Sequence, residues 1–350
     1  MSLLEPLRSE ILGPDEGIRA QVARRLDAKT KPRRSLGRLE DLACAVAAIQ
    51  RTEHPSVRRK AIVVMAGDHG VAAGGVSAFP QEVTVQMLQN FSSNGAAISV
   101  LARQAGAEVV IVDMGSATPW KGSPSVRDRR IGPGTRDFTK GPAMTRAEAL
   151  NAIDVGIALG TELSEREVSL IGLGEMGIGN TTAASAMAAA FLGLAPEEVT
   201  GRGTGVDDAG YQRKLAAIRR ALEQNRPDPA DALDVLAKVG GFEIAGLAGV
   251  VLGAAARRVP VVTDGLIATA AALTAARLVP AALGCLLPSH GSVEIGHRRL
   301  LEALHLKPML DLELRLGEGT GAALAMTLVD ASIRILEEMA TFQSAGVSGA

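Results

Sequence analysis

Short runs of consecutive apolar residues recur along the chain, separated by longer stretches in which apolar positions return every three or four residues. The runs Ala61–Ala66, Ala107–Val112, Val168–Leu173, Val259–Thr263 and Ala281–Leu287 predict buried strands. Apolar runs without polar alternation are what parallel strands covered on both faces require. Between them, Gln81–Ala105, Arg146–Leu163, Asn180–Leu192, Asp208–Gln224, Phe242–Arg257 and Leu266–Arg277 predict helices. The β-α-β order predicts an α/β fold: a doubly wound, mainly parallel sheet flanked by helices, with right-handed crossovers. Residues 1–50 and 320–342 read as helical throughout. Both chain ends are therefore expected to build a small helical domain, near 1–40 and 320–350, beside a large α/β domain over 41–319. The segment Gly115–Pro142, rich in Gly, Pro and charge, reads as an exposed loop.

Composition narrows the function classes. The 350 residues hold 37 Lys+Arg against 38 Asp+Glu, a net charge of −1, which leaves no electrostatic footprint for nucleic acid or an anionic membrane. Aromatic residues make up only 2% of a chain that is 47% hydrophobic, so the core must be packed from small aliphatic side chains. Cys44 and Cys285 match neither a disulfide framework nor a zinc-finger spacing and read as buried thiols. The first residues lack a basic stretch followed by an apolar one, and no uncharged stretch reaches the roughly 18 residues of a membrane span. A soluble, cytoplasmic protein is expected.

Candidate chemistry lies where strands end. The first strand runs into Gly67-Asp-His-Gly70, at the carboxyl edge where open α/β sheets bind ligands, although for so short a motif an Asp satisfying turn amides beside a His packed on the surface is the commoner reading. The Val168–Leu173 run leads into Gly172-Leu-Gly-Glu-Met-Gly-Ile-Gly-Asn-Thr-Thr182 and an Ala-rich helix. This contains the G-x-G-x-x-G string of dinucleotide sites. It lies mid-chain, however, and the acids about 20 positions on, Glu197 and Glu198, follow a Pro at a helix start rather than a strand. A phosphate cradle of glycine amides at a helix N-terminus, with Asn180, Thr181 and Thr182 as added donors, fits better. In Thr200-Gly-Arg-Gly-Thr-Gly-Val-Asp-Asp208 the acids suit an N-cap, and Lys214 on the following helix reads as a point charge for the same phosphate or as a solvated side chain. His290 and His297 are seven apart, not the four of a zinc-binding helix, so no metal is expected. Glu318, between two glycines with no side chains to shield it, reads either as a carboxylate complementing a helix dipole or as a general base.

Asp68-His-Gly-Val, Val76–Thr84, Gly172–Thr182, Asp264-Gly, Ser289–His297 and Leu316-Gly-Glu-Gly-Thr-Gly321 together resemble the nicotinate-nucleotide–dimethylbenzimidazole phosphoribosyltransferases, in the family's order across about residues 35–345. The resemblance implies transfer of phosphoribose from nicotinate mononucleotide to 5,6-dimethylbenzimidazole in assembling the lower ligand of cobalamin. It also implies a homodimer with no cofactor and no metal. It makes Glu318 the catalytic base. Glu175, Gly177, Gly179, Asn180 and Thr181 become the nucleotide loop, and Gly203 and Lys214 join its phosphate-binding region. Ser77, Phe79, Gln86 and Met87 become the wall of the base pocket. A catalytically silent nucleotide- or base-binding relative is the alternative, and retention of Glu318 favours the enzyme.

Overall fold

A computed structural model describes residues 2–203 and 205–348. Six strands form one parallel sheet in the order β3-β2-β1-β4-β5-β6. They are β1 (Lys60–Gly67), β2 (Ala107–Gly115), β3 (Val126–Asp128), β4 (Leu170–Met176), β5 (Val261–Thr263) and β6 (Leu286–Pro288). The chain winds one way from β1 to β3 and the other way from β4 to β6. The switch point, where loops part and leave a crevice at the carboxyl ends, therefore lies between β1 and β4. A second, two-stranded parallel ladder, β7 (His290–Gly291) with β8 (Leu310–Asp311), stands at that edge.

The core explains the shortage of aromatic residues. From Phe242 to Ala255 every residue of the Phe242–Ala256 helix is buried. It packs against the Arg146–Glu165 helix so closely that a Cβ on Gly249 would meet the Ile153 carbonyl and one on Gly160 would fall 2.8 Å from the Val250 carbonyl. Helices Glu16–Asp27 and Arg38–Gln50 from one chain end pack with Thr320–Glu338 from the other. Arg38–Gln50 straddles the expected boundary at 40, and Thr320–Glu338 also lies on β4 and β5. Among the described residues, no helix is long and apolar enough to cross a membrane.

Several expected elements are corrected. Gln81–Ala105 is two helices, Val83–Ser92 and Ala97–Ala105, because Asn94 takes a left-handed φ of 58° and Gly95 follows it. The run expected as strand Ala281–Leu287 coils first as a 3-10 turn over Pro280–Cys285, being short of β-branched residues, and only Leu286–Pro288 pairs. The segment Gly115–Pro142 is not simply an exposed loop: it supplies β3 and buries Phe138, whose carbonyl accepts from Asn225 Nδ2 at 2.7 Å. Ala232–Val239, opened by an Asp231 cap that accepts from Leu233 N and Asp234 N, and Ile295–Ala303 are additional helices.

Candidate active site

A cleft of about 290 Å³ opens at the switch point. Phe79, Val83 and Met87 line one part of its wall, with Leu316 from the loop after β8. The loop after β4 brings Glu175, Gly177, Ile178, Asn180 and Thr181, and the loop at 201–203 brings Gly203. His290, Ser292 and Glu294 follow β6 and β7, while Arg315 and Glu318 precede the Thr320–Glu338 helix. One cleft thus joins an apolar slot to a glycine loop at the start of the Asn180–Leu192 helix, where free amides and the helix dipole favour an anion.

Glu318 sits on a run of three left-handed residues, Gly317 at φ 89°, Glu318 at 61° and Gly319 at 90°. Its backbone lies directly on Gly174 of β4, where any Cβ would strike the Glu318 carbonyl. Asp264, at the end of β5, pins the loop from the other side. Its carboxylate accepts from Gly319 N at 3.0 Å, Gly321 N at 2.8 Å and Ala322 N at 3.3 Å. Glu318 was expected to be unshielded, yet it is only 7% exposed, because the loop folds inward and Ile98 N donates to its Oε2 at 3.3 Å. Burial raises its pKa, and the Ile98 N–H opposes that shift. The dipole reading therefore holds for a different helix than the sequence suggests: Glu318 faces the start of Ala97–Ala105.

Glu175, at the end of β4, accepts from Asn180 Nδ2. Burial, with Asp264 and Glu243 nearby, pushes its pKa up to about 8, so it is largely protonated at neutral pH. Burial likewise pushes Asp264 up to about 7, against its backbone donors. His290 is pushed down to about 4 by burial and is neutral; its Nδ1 lies 2.9 Å from Ser289 Oγ. His297 accepts from Ser292 N on Nδ1 and so presents Nε2–H to Thr269 Oγ1, 3.0 Å away. Both histidines are hydrogen-bonded buried rings, His290 on the cleft wall, and no group of metal-ligating side chains occurs among the described residues.

Of the residues expected at the site, Glu318, Glu175, Gly177, Asn180, Thr181, Gly203, Phe79 and Met87 line the cleft. Lys214, Gly179, Ser77 and Gln86 do not. Lys214 is completely buried beneath the loop, where Nζ donates to Thr181 Oγ1 at 2.9 Å and to Gly201 O at 3.3 Å. Burial pushes it down to about 8. Gly179 is the left-handed cap of the Asn180–Leu192 helix. Ser77 Oγ accepts from Phe79 N at 3.2 Å, shaping the turn, and Gln86 points to solvent. Asp207, rather than Asp208, caps the helix carrying Lys214. Thr204 lies outside the described residues. Three neighbours of the site escaped the sequence reading. Glu294 accepts from Gly203 N at 2.9 Å, Asp264 anchors the Glu318 loop, and Arg315 is an exposed cation on the cleft wall. Asp264 and Glu294 stood inside motifs already singled out, and only their distant partners mark their roles.

Comparison with known proteins gives a consistent picture. A phosphoribosyltransferase family model matches residues 11–347. The nicotinate-nucleotide–dimethylbenzimidazole phosphoribosyltransferase of Geobacter metallireducens is 55% identical over 347 residues, covering 99% of this chain and 98% of that protein. The protein of the same name from Desulforamulus reducens is 54% identical over 349 residues, 99% of each. Among solved structures, CobT from Thermus thermophilus is 47% identical with a TM-score of 0.92, over 95% of this chain and 100% of that one.

Proposed function

The chain belongs to the nicotinate-nucleotide–dimethylbenzimidazole phosphoribosyltransferase family, and from that membership we propose the following reaction and roles for its cleft. The enzyme is a pentosyl transferase of cobalamin biosynthesis. It moves phosphoribose from nicotinate mononucleotide to 5,6-dimethylbenzimidazole, giving α-ribazole 5′-phosphate and nicotinate. The observation that carries the reading is the cleft itself, in which an apolar slot, a buried carboxylate and a glycine loop at a helix start share one cavity.

In this scheme the flat base enters the slot formed by Phe79, Val83, Met87 and Leu316. The phosphate meets the glycine loop, Thr181 and Gly203, and Lys214 acts from beneath by holding Thr181 and the Gly201 carbonyl in place. One ring nitrogen of the base attacks C1′ as the bond from C1′ to the nicotinate nitrogen breaks. The bonding pair returns to that nitrogen, so nicotinate departs with a neutral ring and needs no acid. Attack from the opposite face inverts β to α. The other ring nitrogen gives its proton to Glu318, whose carboxylate is kept ionisable by Ile98 N–H. Protonated Glu175 places no second full negative charge beside the nucleotide phosphate. The scheme uses neither metal nor cofactor. A cytoplasmic homodimer is part of the same proposal. Phe79 and Leu316 on the cleft wall, and Val293, Ile295 and Leu312 on the segments that follow β7 and β8, are exposed apolar side chains of the kind a second copy covers. Light scattering tests it by mass. Incubation with nicotinate mononucleotide and dimethylbenzimidazole, followed by mass detection of the riboside phosphate, tests the reaction; no product would refute it.

A further inference from the structure

The turn Gly67-Asp-His-Gly70 has no task in the reaction scheme, yet Asp68 within it is bonded through its amide, its carbonyl and both carboxylate oxygens. Asp68, 2% exposed, donates its amide to Gly115 O at 2.9 Å, and its carbonyl accepts from Thr135 N at 2.9 Å. Its carboxylate accepts from Ala117 N on Oδ2 at 2.7 Å and from the Thr84 hydroxyl on Oδ1 at 2.6 Å. Thr84 is fully buried on the Val83–Ser92 helix, whose Val83 and Met87 line the apolar slot. The same hydroxyl oxygen accepts from Ile178 N at 3.2 Å, in the middle of the glycine loop. An amide only donates, so the Thr84 hydroxyl receives from Ile178 and passes its own proton toward Asp68. One directed chain therefore runs from the nucleotide loop, through the base-slot helix, to the end of β1.

Resting on the phosphoribosyl-transfer reading, we propose that Thr84, oriented by Asp68, is a positioning residue that locks the glycine loop to the base-slot helix and so sets the distance between the two substrates. The argument is one of geometry. The elements holding the base and the nucleotide are some 90 residues apart in sequence, Thr84 and Ile178 being separated by 94 positions. Displacement requires the attacking nitrogen to stand in line with C1′, and a shift of about 1 Å between reactants can cost roughly 10²-fold in rate. A hydroxyl that both accepts and donates is the one group at this position that ties both elements. Valine fills the same volume and does neither.

Steady-state kinetics with both substrates varied test this, on Thr84→Val and Thr84→Ser beside the wild type. Thr84→Val is expected to lower kcat roughly 10- to 100-fold. Calorimetric affinity for nicotinate mononucleotide alone should move less than about threefold, since each half-site stays intact. Thr84→Ser keeps the hydroxyl and should recover most of the loss. If Thr84→Val does not fold, Thr84→Ala against Thr84→Ser makes the same comparison. A valine or alanine variant with wild-type kcat overturns the proposal, and so does a serine variant as slow as the valine. Loss of nucleotide affinity matching the loss of rate also overturns it, by showing the loop itself collapsed. A wild-type protein that forms no product refutes the reaction instead, so the two failures are distinguishable.

Discussion

Glu318 holds a left-handed φ of 61° between two left-handed glycines, a conformation that costs a residue with a side chain about 1–2 kcal/mol. Such strain persists only where surrounding contacts over-determine it, here the Gly174 backbone and the three amides given to Asp264. Glu318→Gln keeps the shape and still accepts from Ile98 N, but it cannot take a proton. It is expected to lower kcat by roughly 10²-fold or more with little change in KM. Because burial raises the Glu318 pKa, the acid limb of the wild-type kcat profile should lie above the ordinary carboxylate range and vanish in the glutamine variant. Arg315 makes a second residue-scale prediction. It is exposed on the cleft wall, and nicotinate mononucleotide carries both a phosphate and a carboxylate. Arg315→Gln should raise KM for the nucleotide about tenfold with the base KM unmoved, as expected on losing a charge-assisted hydrogen bond. Nicotinamide mononucleotide, lacking the carboxylate, then shows which anion Arg315 reads. The sequence offered Glu318 through Gly-Glu-Gly alone. It could not reveal that Ile98, 220 positions away, caps that carboxylate, or that Lys214 lies under the loop instead of in the cleft.

Elements were read well where one local pattern decided them. Asn180–Leu192 begins and ends where its Ala-rich run predicts, because Gly179 and Gly193, both left-handed, bracket it. β1 follows from an unbroken apolar run, Ala61–Ala66, that ends at Gly67, and β2 from Val109–Val112, beyond which it continues through Asp113 to Gly115. Failures came where tertiary contact decides. β3 is a three-residue edge strand, too short to show a period, and exists because β2 offers it a ladder at Ile111–Asp113. Asn94 breaks a helix that its apolar spacing would continue. The glycine loop shows the same lesson at the level of packing. As part of a phosphate cradle, Gly177 would be a place where a side chain crowds the anion, but a Cβ there meets the Gly67 carbonyl of β1. Gly177→Ala should therefore push the loop off β1. Thermal unfolding is expected to fall by several degrees, as overpacking costs about 1–3 kcal/mol, before any effect confined to nucleotide affinity appears. An alanine variant with unchanged Tm and a raised nucleotide KM would restore the crowding account.

The whole molecule concentrates ionisable groups in one water-poor edge, and its stability should record that. Glu175 and Asp264 have folded pKa values of about 8 and about 7, above the ordinary 4.5 and 3.8. The folded state therefore binds protons more tightly than the unfolded chain, and these two groups withdraw stability as pH rises toward 8. His290 and His297 work the other way, being pushed from 6.5 down to about 4 and about 3. There the unfolded chain binds the extra protons, so stability grows with pH up to about 6.5 and then levels. Lys214, depressed to about 8, adds stability only as pH climbs from there toward 10.5. Glu148 is held at about 2 chiefly by Arg136, which places its effect below pH 4.5. Between pH 4.5 and 6.5 the carboxylates and histidines oppose one another; from 6.5 to 8 the carboxylates act alone. With two groups on each side, Tm is accordingly expected to be nearly level from pH 4.5 to 6.5 and to decline from there to pH 8, measured in buffers of equal ionic strength. Glu175→Gln, which keeps a neutral side chain of the same size beside Asn180, should remove most of the decline between pH 7 and 8 and turn the level stretch below 6.5 into a rise, since two histidines then oppose Asp264 alone. A wild-type Tm that is level or rising from 6.5 to 8 would mean that Glu175 is already ionised in the folded protein. The catalytic edge would then carry a full negative charge opposite the incoming phosphate, and the role given to protonated Glu175 would fall with it.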